Sequence, residues 1–214
     1  MLKRRLSTRG DTLIEVLFAV SVFSLVAVGG LAVMNQGSAS AQRALEITLV
    51  RQQMDAQAET LRFLNNSYVA AFRAGATYDS KTPAGQWALL SKNVKDYPID
   101  NVSSLGVAEC PTTYQGGSFI LNTQKATFID SSQNVLTPAK TFSQLTYATV
   151  SGEPTVITSE GIWIEPVRYD PAKSGDAAQS NIGYIDFHIF ACWDSTGQAV
   201  PVTLGTIVRL YEPL

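Results

Sequence analysis

RGDTLIEVLFAVSVFSLVAVGGLAVM, residues 9–34, indicates the fold of this chain more clearly than any other segment. Val16 to Met34 carries no charged residue, and at about 1.5 Å per residue a helix of that length spans about 28 Å, close to the hydrocarbon core of a bilayer. The first ten residues hold four basic side chains and no acidic one, which is the bias that keeps a segment on the cytoplasmic side. The pattern predicts one membrane-spanning helix that leads outward.

Glu15 stands at the edge of the apolar run, one helical turn after Asp11. An ionised carboxylate there is costly unless it lies near the interface or has a partner. A plain anchor whose Glu15 reaches the headgroups is one alternative. A secretory signal peptide cut near Ala39-Ser40-Ala41 is another, although this apolar run is longer than the usual core of about 7–15 residues.

The segment resembles the class III signal of the type IV pilin family, which includes the pseudopilins of type II secretion and the competence pilins. The motif comprises Gly10 and Asp11 followed by Thr12-Leu13-Ile14-Glu15, and the resemblance covers about residues 3–40. It implies that a prepilin peptidase removes a leader, residues 1–10, after Gly10 and that Asp11 becomes an N-methylated N-terminus. Asp11 departs from the family, where this position is usually phenylalanine or another apolar residue.

In the family, the glutamate at the position of Glu15 guides docking into a growing filament. The freed α-amine of Asp11 would pair with Glu15 of a neighbouring subunit, since such pairing offsets the cost of burying either charge. The resemblance implies four partners: other pilin subunits through the N-terminal helix, the prepilin peptidase, an inner-membrane assembly platform, and the membrane before assembly. Chain length and Asp11 favour a minor pilin or a pseudopilin over a major subunit.

The helix is predicted to continue beyond the membrane, because no proline occurs before Pro83. A membrane-spanning or filament-core part, residues 11–37, would be followed by an amphipathic part, residues 38–74, and by a β-rich head, residues 75–214. The amphipathic part is predicted from apolar residues that recur every three or four positions: Ile47, Val50, Met54, Ala58, Leu61, Leu64, Tyr68 and Phe72. Gly75 is a typical helix stop.

The β-strand signals of the head are strongest at its end. Ile182–Trp193 and Val202–Tyr211, with a turn after Trp193, predict a terminal hairpin. Its first strand should turn one alternating set of residues to the helix and the other outward: inward Ile185, Phe187, Ile189, Ala191 and Trp193; outward Tyr184, Asp186, His188, Phe190 and Cys192.

Weaker strand signals occur at 118–121, at 126–129 and at 161–169, where Pro166 favours an edge strand or a bulge. Residues 75–117, 131–160 and 170–181 are expected to be mainly loops. The predicted fold class is therefore α+β, a long N-terminal α-helix packed on an antiparallel β-sheet.

Cys110 and Cys192 are the two cysteines of the chain. In an exported head they favour one disulfide, with two buried free thiols as the alternative. Together with His188, the single histidine, they offer too few ligands at suitable spacing for zinc. We expect no metal and no cofactor.

Charge and motifs limit the possible functions. The chain has 16 basic and 18 acidic residues; loss of the four leader cations leaves 12 basic residues and a net charge of −6. Bulk charge thus gives no indication of nucleic-acid binding. No catalytic motif accompanies His188, so we expect no enzyme. The sequence favours a filament subunit that starts as a single-pass membrane protein with its head outside and ends in an extracellular filament; a membrane-tethered binding module such as an adhesin is the alternative.

Overall fold

The computed structural model divides into two compact units, residues 1–45 and 46–214. Side chains are described from Leu13 onward. The residues that the structure describes are 11–94, 102–103, 109–114, 117–130, 133–169, 183–195 and 197–213.

Helix α1 spans Asp11–Arg73, as the sequence predicts. It ends where Gly75 adopts a φ of +64°, in the left-handed region that glycine enters without steric cost. The amide of Ala76 donates to the carbonyl of Ala71 there, which satisfies one of the carbonyls left over at a helix end. A glycine at this position therefore sets the length of the helix.

The second half of α1, from Glu46 onward, packs into the core of the head. The predicted apolar stripe provides its fully or nearly fully buried apolar residues, Val50, Met54, Ala58, Leu61 and Leu64. Ile47 and Tyr68 are partly buried against the same core, whereas Phe72, in the last turn, remains 42% exposed. The stripe prediction is correct except at this distal end.

Helix α2, Pro83–Asn93, lies in a region for which we expected a loop. Thr82 caps its first turn by accepting a hydrogen bond from the amide of Gly85, and Pro83 occupies the first position, where its missing N–H costs nothing. Trp87 and Leu90 enter the core. Gly85 obscures the helical pattern, but a side chain there would collide with the carbonyl of Asp79, so the close approach requires glycine.

Five strands form the main sheet: β1 Phe119–Asn122, β2 Thr127–Asp130, β6 Ile162–Tyr169, β7 Tyr184–Trp193 and β8 Val202–Tyr211. Their spatial order is β2-β1-β6-β7-β8, and every neighbouring pair is antiparallel. The predicted strand pair and the terminal hairpin are both present. The described structure therefore confirms the α+β prediction of a long helix on an antiparallel sheet.

Strand β6 is an interior strand of this sheet, which the edge prediction from Pro166 did not anticipate. Its pairing explains how proline is tolerated: β1 pairs with β6 only through Phe119 and Ile164, whereas β7 pairs along the whole strand. On the side of β1, Pro166 lies beyond that single contact, so its missing N–H interrupts no ladder there.

The two faces of β7 are divided as predicted. Ile185, Phe187, Ile189, Ala191 and Trp193 are all fully buried and belong to the same core cluster as the α1 stripe. Edge-on aromatic contacts join Phe187 to Trp87 of α2 and to Phe119 of β1. One face of the sheet thus packs against both helices.

A second sheet corrects the expectation of loops at 131–160. Its strands are β3 Leu136–Thr137, β4 Gln144–Val150 and β5 Glu153–Glu160; β4 and β5 form an antiparallel hairpin, and the short β3 runs parallel to β5. The remaining predicted loop, 170–181, lies outside the described residues.

Candidate functional site

The first half of α1 is an apolar helix with no buried face. Every side chain from Leu13 to Leu45 is exposed, and large apolar residues such as Phe23 and Leu25 show 74% and 77% of their surface. The hydroxyls of Ser21 and Ser24 donate to the carbonyls of Leu17 and Val20, four residues earlier. Since those hydroxyls are already satisfied within the helix, the segment is suited to an apolar environment.

Glu15 is exposed, near the start of this helix. Among the described residues it makes no hydrogen bond or ion pair, and the next charged residue is Arg43. Asp11 is the first residue of α1, and Gly10 with the rest of the leader lies outside the described residues. Glu15 is thus an exposed carboxylate at the edge of the apolar run, without a partner among the described residues.

In the part of the chain that the structure describes, α1 is long and apolar enough to cross a membrane. None of the 18 residues in its most apolar window is buried inside the protein, so burial within the chain does not account for that composition. A membrane or other protein chains would have to cover this surface, because an exposed apolar surface of this size is costly in water.

The disulfide lies in the head. Cys110 and Cys192 are joined, with their Cα atoms 5.6 Å apart. Cys192 is on the outward face of β7, as the strand alternation predicts, and lies in a small second core with Trp163 and Phe190. The segment that carries Cys110 thus covers the face of the sheet that the helices leave open.

Tyr114 and Ser103 hold that covering segment in two further places. Tyr114 packs edge-on against Trp163 and donates its hydroxyl to the carbonyl of Thr137; burial raises the pKa of Tyr114 to about 12. Ser103 donates its amide and its hydroxyl to the two oxygens of Glu165, at 2.8 and 2.6 Å. Glu165 also accepts the indole N–H of Trp163 at 2.6 Å, so this 5% exposed carboxylate has the donors it needs.

His188 is cross-strand from Glu165 and stacks against Phe190. Burial lowers the pKa of His188, and the nearby carboxylates of Asp186 and Glu165 oppose that shift. No set of three or more histidine, cysteine or acidic side chains in the described ranges is placed to hold a metal ion. The surroundings of His188 are those of a half-buried strand residue beside an aromatic ring.

Three glutamines, which the sequence analysis did not single out, occupy backbone groups that the sheets leave unpaired. Gln57, fully buried on α1, accepts the amide of Leu121 and donates to its carbonyl, at 2.9 and 2.8 Å. Gln53, one turn earlier, accepts the amide of Leu145 on β4. Gln86 of α2 accepts the amide of Phe128 on β2. We call these residues the glutamine caps. The available sequence signal was the i, i+4 pair Gln53 and Gln57 beside the apolar stripe.

Comparison of the chain with protein-family models, curated proteins and solved structures gave no match. The interpretation of the apolar helix therefore depends on its own residues.

Proposed function

We propose that this protein is a structural subunit, a minor pilin or pseudopilin, of a type IV pilus or a related filament. It is processed after Gly10 and assembled through its N-terminal helix, in a machine for adhesion, motility, DNA uptake or secretion. The observation that carries the proposal is the exposed, uncharged helix from Val16 to Met34 with the unpaired carboxylate Glu15 at its edge.

Physical chemistry supports an assembly role for this surface. A bilayer can cover the apolar residues, but it offers Glu15 no counter-charge at depth. A neighbouring subunit can do both, since its own helix supplies apolar contacts and its freed α-amine supplies the cation. Before assembly the protein is a single-pass membrane protein with its head outside, and after assembly it is part of an extracellular filament.

The decisive experiment replaces Glu15 and isolates filaments by shearing. For Glu15→Ala and Glu15→Gln, we expect normal membrane insertion and processing but about tenfold or greater loss from sheared filaments, because a lost pairing of about 1.4 kcal/mol already changes an equilibrium tenfold. Glu59→Ala is the matched control, since Glu59 is an exposed glutamate of the same helix. Normal incorporation of both Glu15 variants would refute the assembly role.

A second candidate is a membrane-tethered binding module that does not polymerise. A groove of about 550 Å³ in the head favours it, lined among others by Phe72, Arg73 and Tyr211, because concave sites with aromatic walls and a few polar groups are typical of ligand binding. Mass spectrometry of the mature N-terminus separates the candidates. A chain that begins at Asp11 supports the filament subunit, an intact leader supports the tether, and a start at Gln42 indicates a secreted protein.

A further inference from the structure

Strand β8 differs from the other outer strands in how few side chains bind the backbone groups of its free edge. The outer strands β2 and β4 each have an outward amide bound by a glutamine cap, Gln86 or Gln53. The third, the two-residue strand β3, has its Thr137 carbonyl bound by the hydroxyl of Tyr114. The side of β1 that β6 does not reach is occupied by Gln57. β8 pairs with β7 over all ten of its residues, and no other described strand pairs with it.

The interior of the β8 edge, residues 204–210, has no side-chain cap among the described residues. At its end, Asn65 donates to the carbonyl of Tyr211. In an antiparallel pair, alternate residues direct both backbone groups away from the partner strand, so this interior offers a row of unpaired donors and acceptors. It contains no proline or lysine, and its register with β7 has no bulge. Those are the devices that usually block an exposed edge.

The side chains beside this edge are apolar or neutralised. Ile207 and Tyr211 are 60% and 55% exposed. The charge of Arg209 is balanced, since its guanidinium donates two 2.7 Å hydrogen bonds to Asp186 and lies 4.0 Å from the centre of the Tyr184 ring. A strand added along residues 204–210 would meet apolar and aromatic neighbours and no uncompensated charge from β8 itself, with Arg73 of α1 as a charged neighbour at the Tyr211 end. These surroundings favour an uncharged segment with β-branched or apolar residues.

From these observations we propose that β8 is a docking edge that accepts an extended, uncharged segment of a different protein chain by β-strand addition, the mode in which backbone hydrogen bonds supply affinity. A second copy of this chain is a poorer occupant. Its outer strands β2 and β4 already have amides bound by glutamine caps, and its outer strand β3 has only two residues. β8 paired with β8 forms a closed two-fold contact that cannot propagate along a filament.

Direction argues further against antiparallel self-pairing. Glu46 accepts hydrogen bonds from Trp193 and Ser195 beside the start of β8, and Asn65 bonds Tyr211 at its end, so β8 runs in the same direction as residues 46–65 of α1. Two antiparallel β8 strands would oppose these helical segments. Subunits of one filament share a direction. This argument and that from the closed two-fold contact rest on the proposed function.

Hydrogen exchange of the full chain in detergent micelles tests the docking edge without any filament. The probe is an eight-residue peptide of alternating threonine and valine with both ends blocked. We expect it to slow amide exchange in residues 203–211 about tenfold, as strand pairing protects backbone amides. Ile207→Lys should abolish that protection. Val200→Lys is the matched control, because Val200 is 58% exposed just before the strand, and it should keep the protection.

Absence of protection in the wild-type chain, or protection that persists in Ile207→Lys, would overturn the proposal. Protection of residues 203–211 that appears without peptide and grows with protein concentration would identify a second copy as the occupant and would equally overturn it. Because this experiment needs no assembled filament, its failure leaves the Glu15 experiment unaffected, and the reverse also holds.

Discussion

The two halves of α1 share one backbone conformation and differ in what covers their side chains. From Leu13 to Leu45 every side chain is exposed, and the polar hydroxyls are satisfied within the helix. From Glu46 onward an apolar stripe is buried against the sheet, and glutamines beside it bond strand backbone. Helix formation in α1 therefore does not depend on burial, because the first half carries more apolar residues than the second and buries none of them within the chain.

The largest effect that tests this comparison comes from truncating one leucine in each half. Leu61→Ala, at a fully buried position, should lower the free energy of unfolding of the head by about 2–5 kcal/mol through lost transfer energy and a cavity. Leu25→Ala, at a 77% exposed position, should leave it unchanged. Denaturant unfolding followed by tryptophan fluorescence is suitable, since Trp87, Trp163 and Trp193 are all buried in the head.

An equal loss in the two variants would mean that the first half of the helix is part of the folded core. In that case it would be wrong to describe only the second half of α1 as packed in the core of the head.

A smaller effect is expected from the glutamine caps. Gln57→Leu keeps the side chain near its original volume but leaves the N–H and C=O of Leu121 without their partner, so we expect a loss of about 1–3 kcal/mol. Gln52→Leu, at an exposed position of the same helix, is the control and should be nearly neutral. If Gln57→Leu and the control have the same free energy of unfolding in the denaturant experiment, the Gln57 cap contributes little to stability.

The smallest effect concerns His188. Because burial lowers its pKa in the folded state, the unfolded chain binds the proton more readily. Neutral His188 therefore does not lower the free energy of unfolding at a pH above its unfolded-state pKa of about 6.5. As the pH falls below that pKa, protonation favours the unfolded chain and the free energy of unfolding decreases. The wild type should lose more thermal stability between pH 7.5 and pH 5 than His188→Gln, measured by thermal melts at each pH. Parallel losses in both proteins would exclude His188 as the cause.

Sequence patterns predicted the elements that carry long periodic signals. The length of α1 followed from the absence of proline and from Gly75, and the two faces of β7 followed from strict alternation. The disulfide between Cys110 and Cys192, expected from the cysteine count, is present in the structure. These features depend on local chemistry and on repeated spacing, which one chain displays by itself.

The missed elements have short or mixed signals. Helix α2 has 11 residues and includes Gly85. Glycine is required there by a tertiary contact, the close approach of the Asp79 carbonyl, which cannot be seen in the sequence. In the β4–β5 hairpin, Leu145, Val156 and Ser159 are the buried residues, so its pattern resembles that of a polar loop. The glutamine caps depend on strand edges that only the folded chain brings to the helices. Processing between Gly10 and Asp11 and the assembly role of Glu15 stay predictions.

The disulfide has a consequence for proteolysis. Cys110 and Cys192 are 82 residues apart, and the segment between them includes β1 to β6, most of β7 and the connections between these strands. A protease that cuts once anywhere within it produces two fragments that sulfur still holds together. On a denaturing gel the nicked protein would run as one species without reductant and as two with it. Until the disulfide is reduced, the two fragments of the core would stay covalently linked.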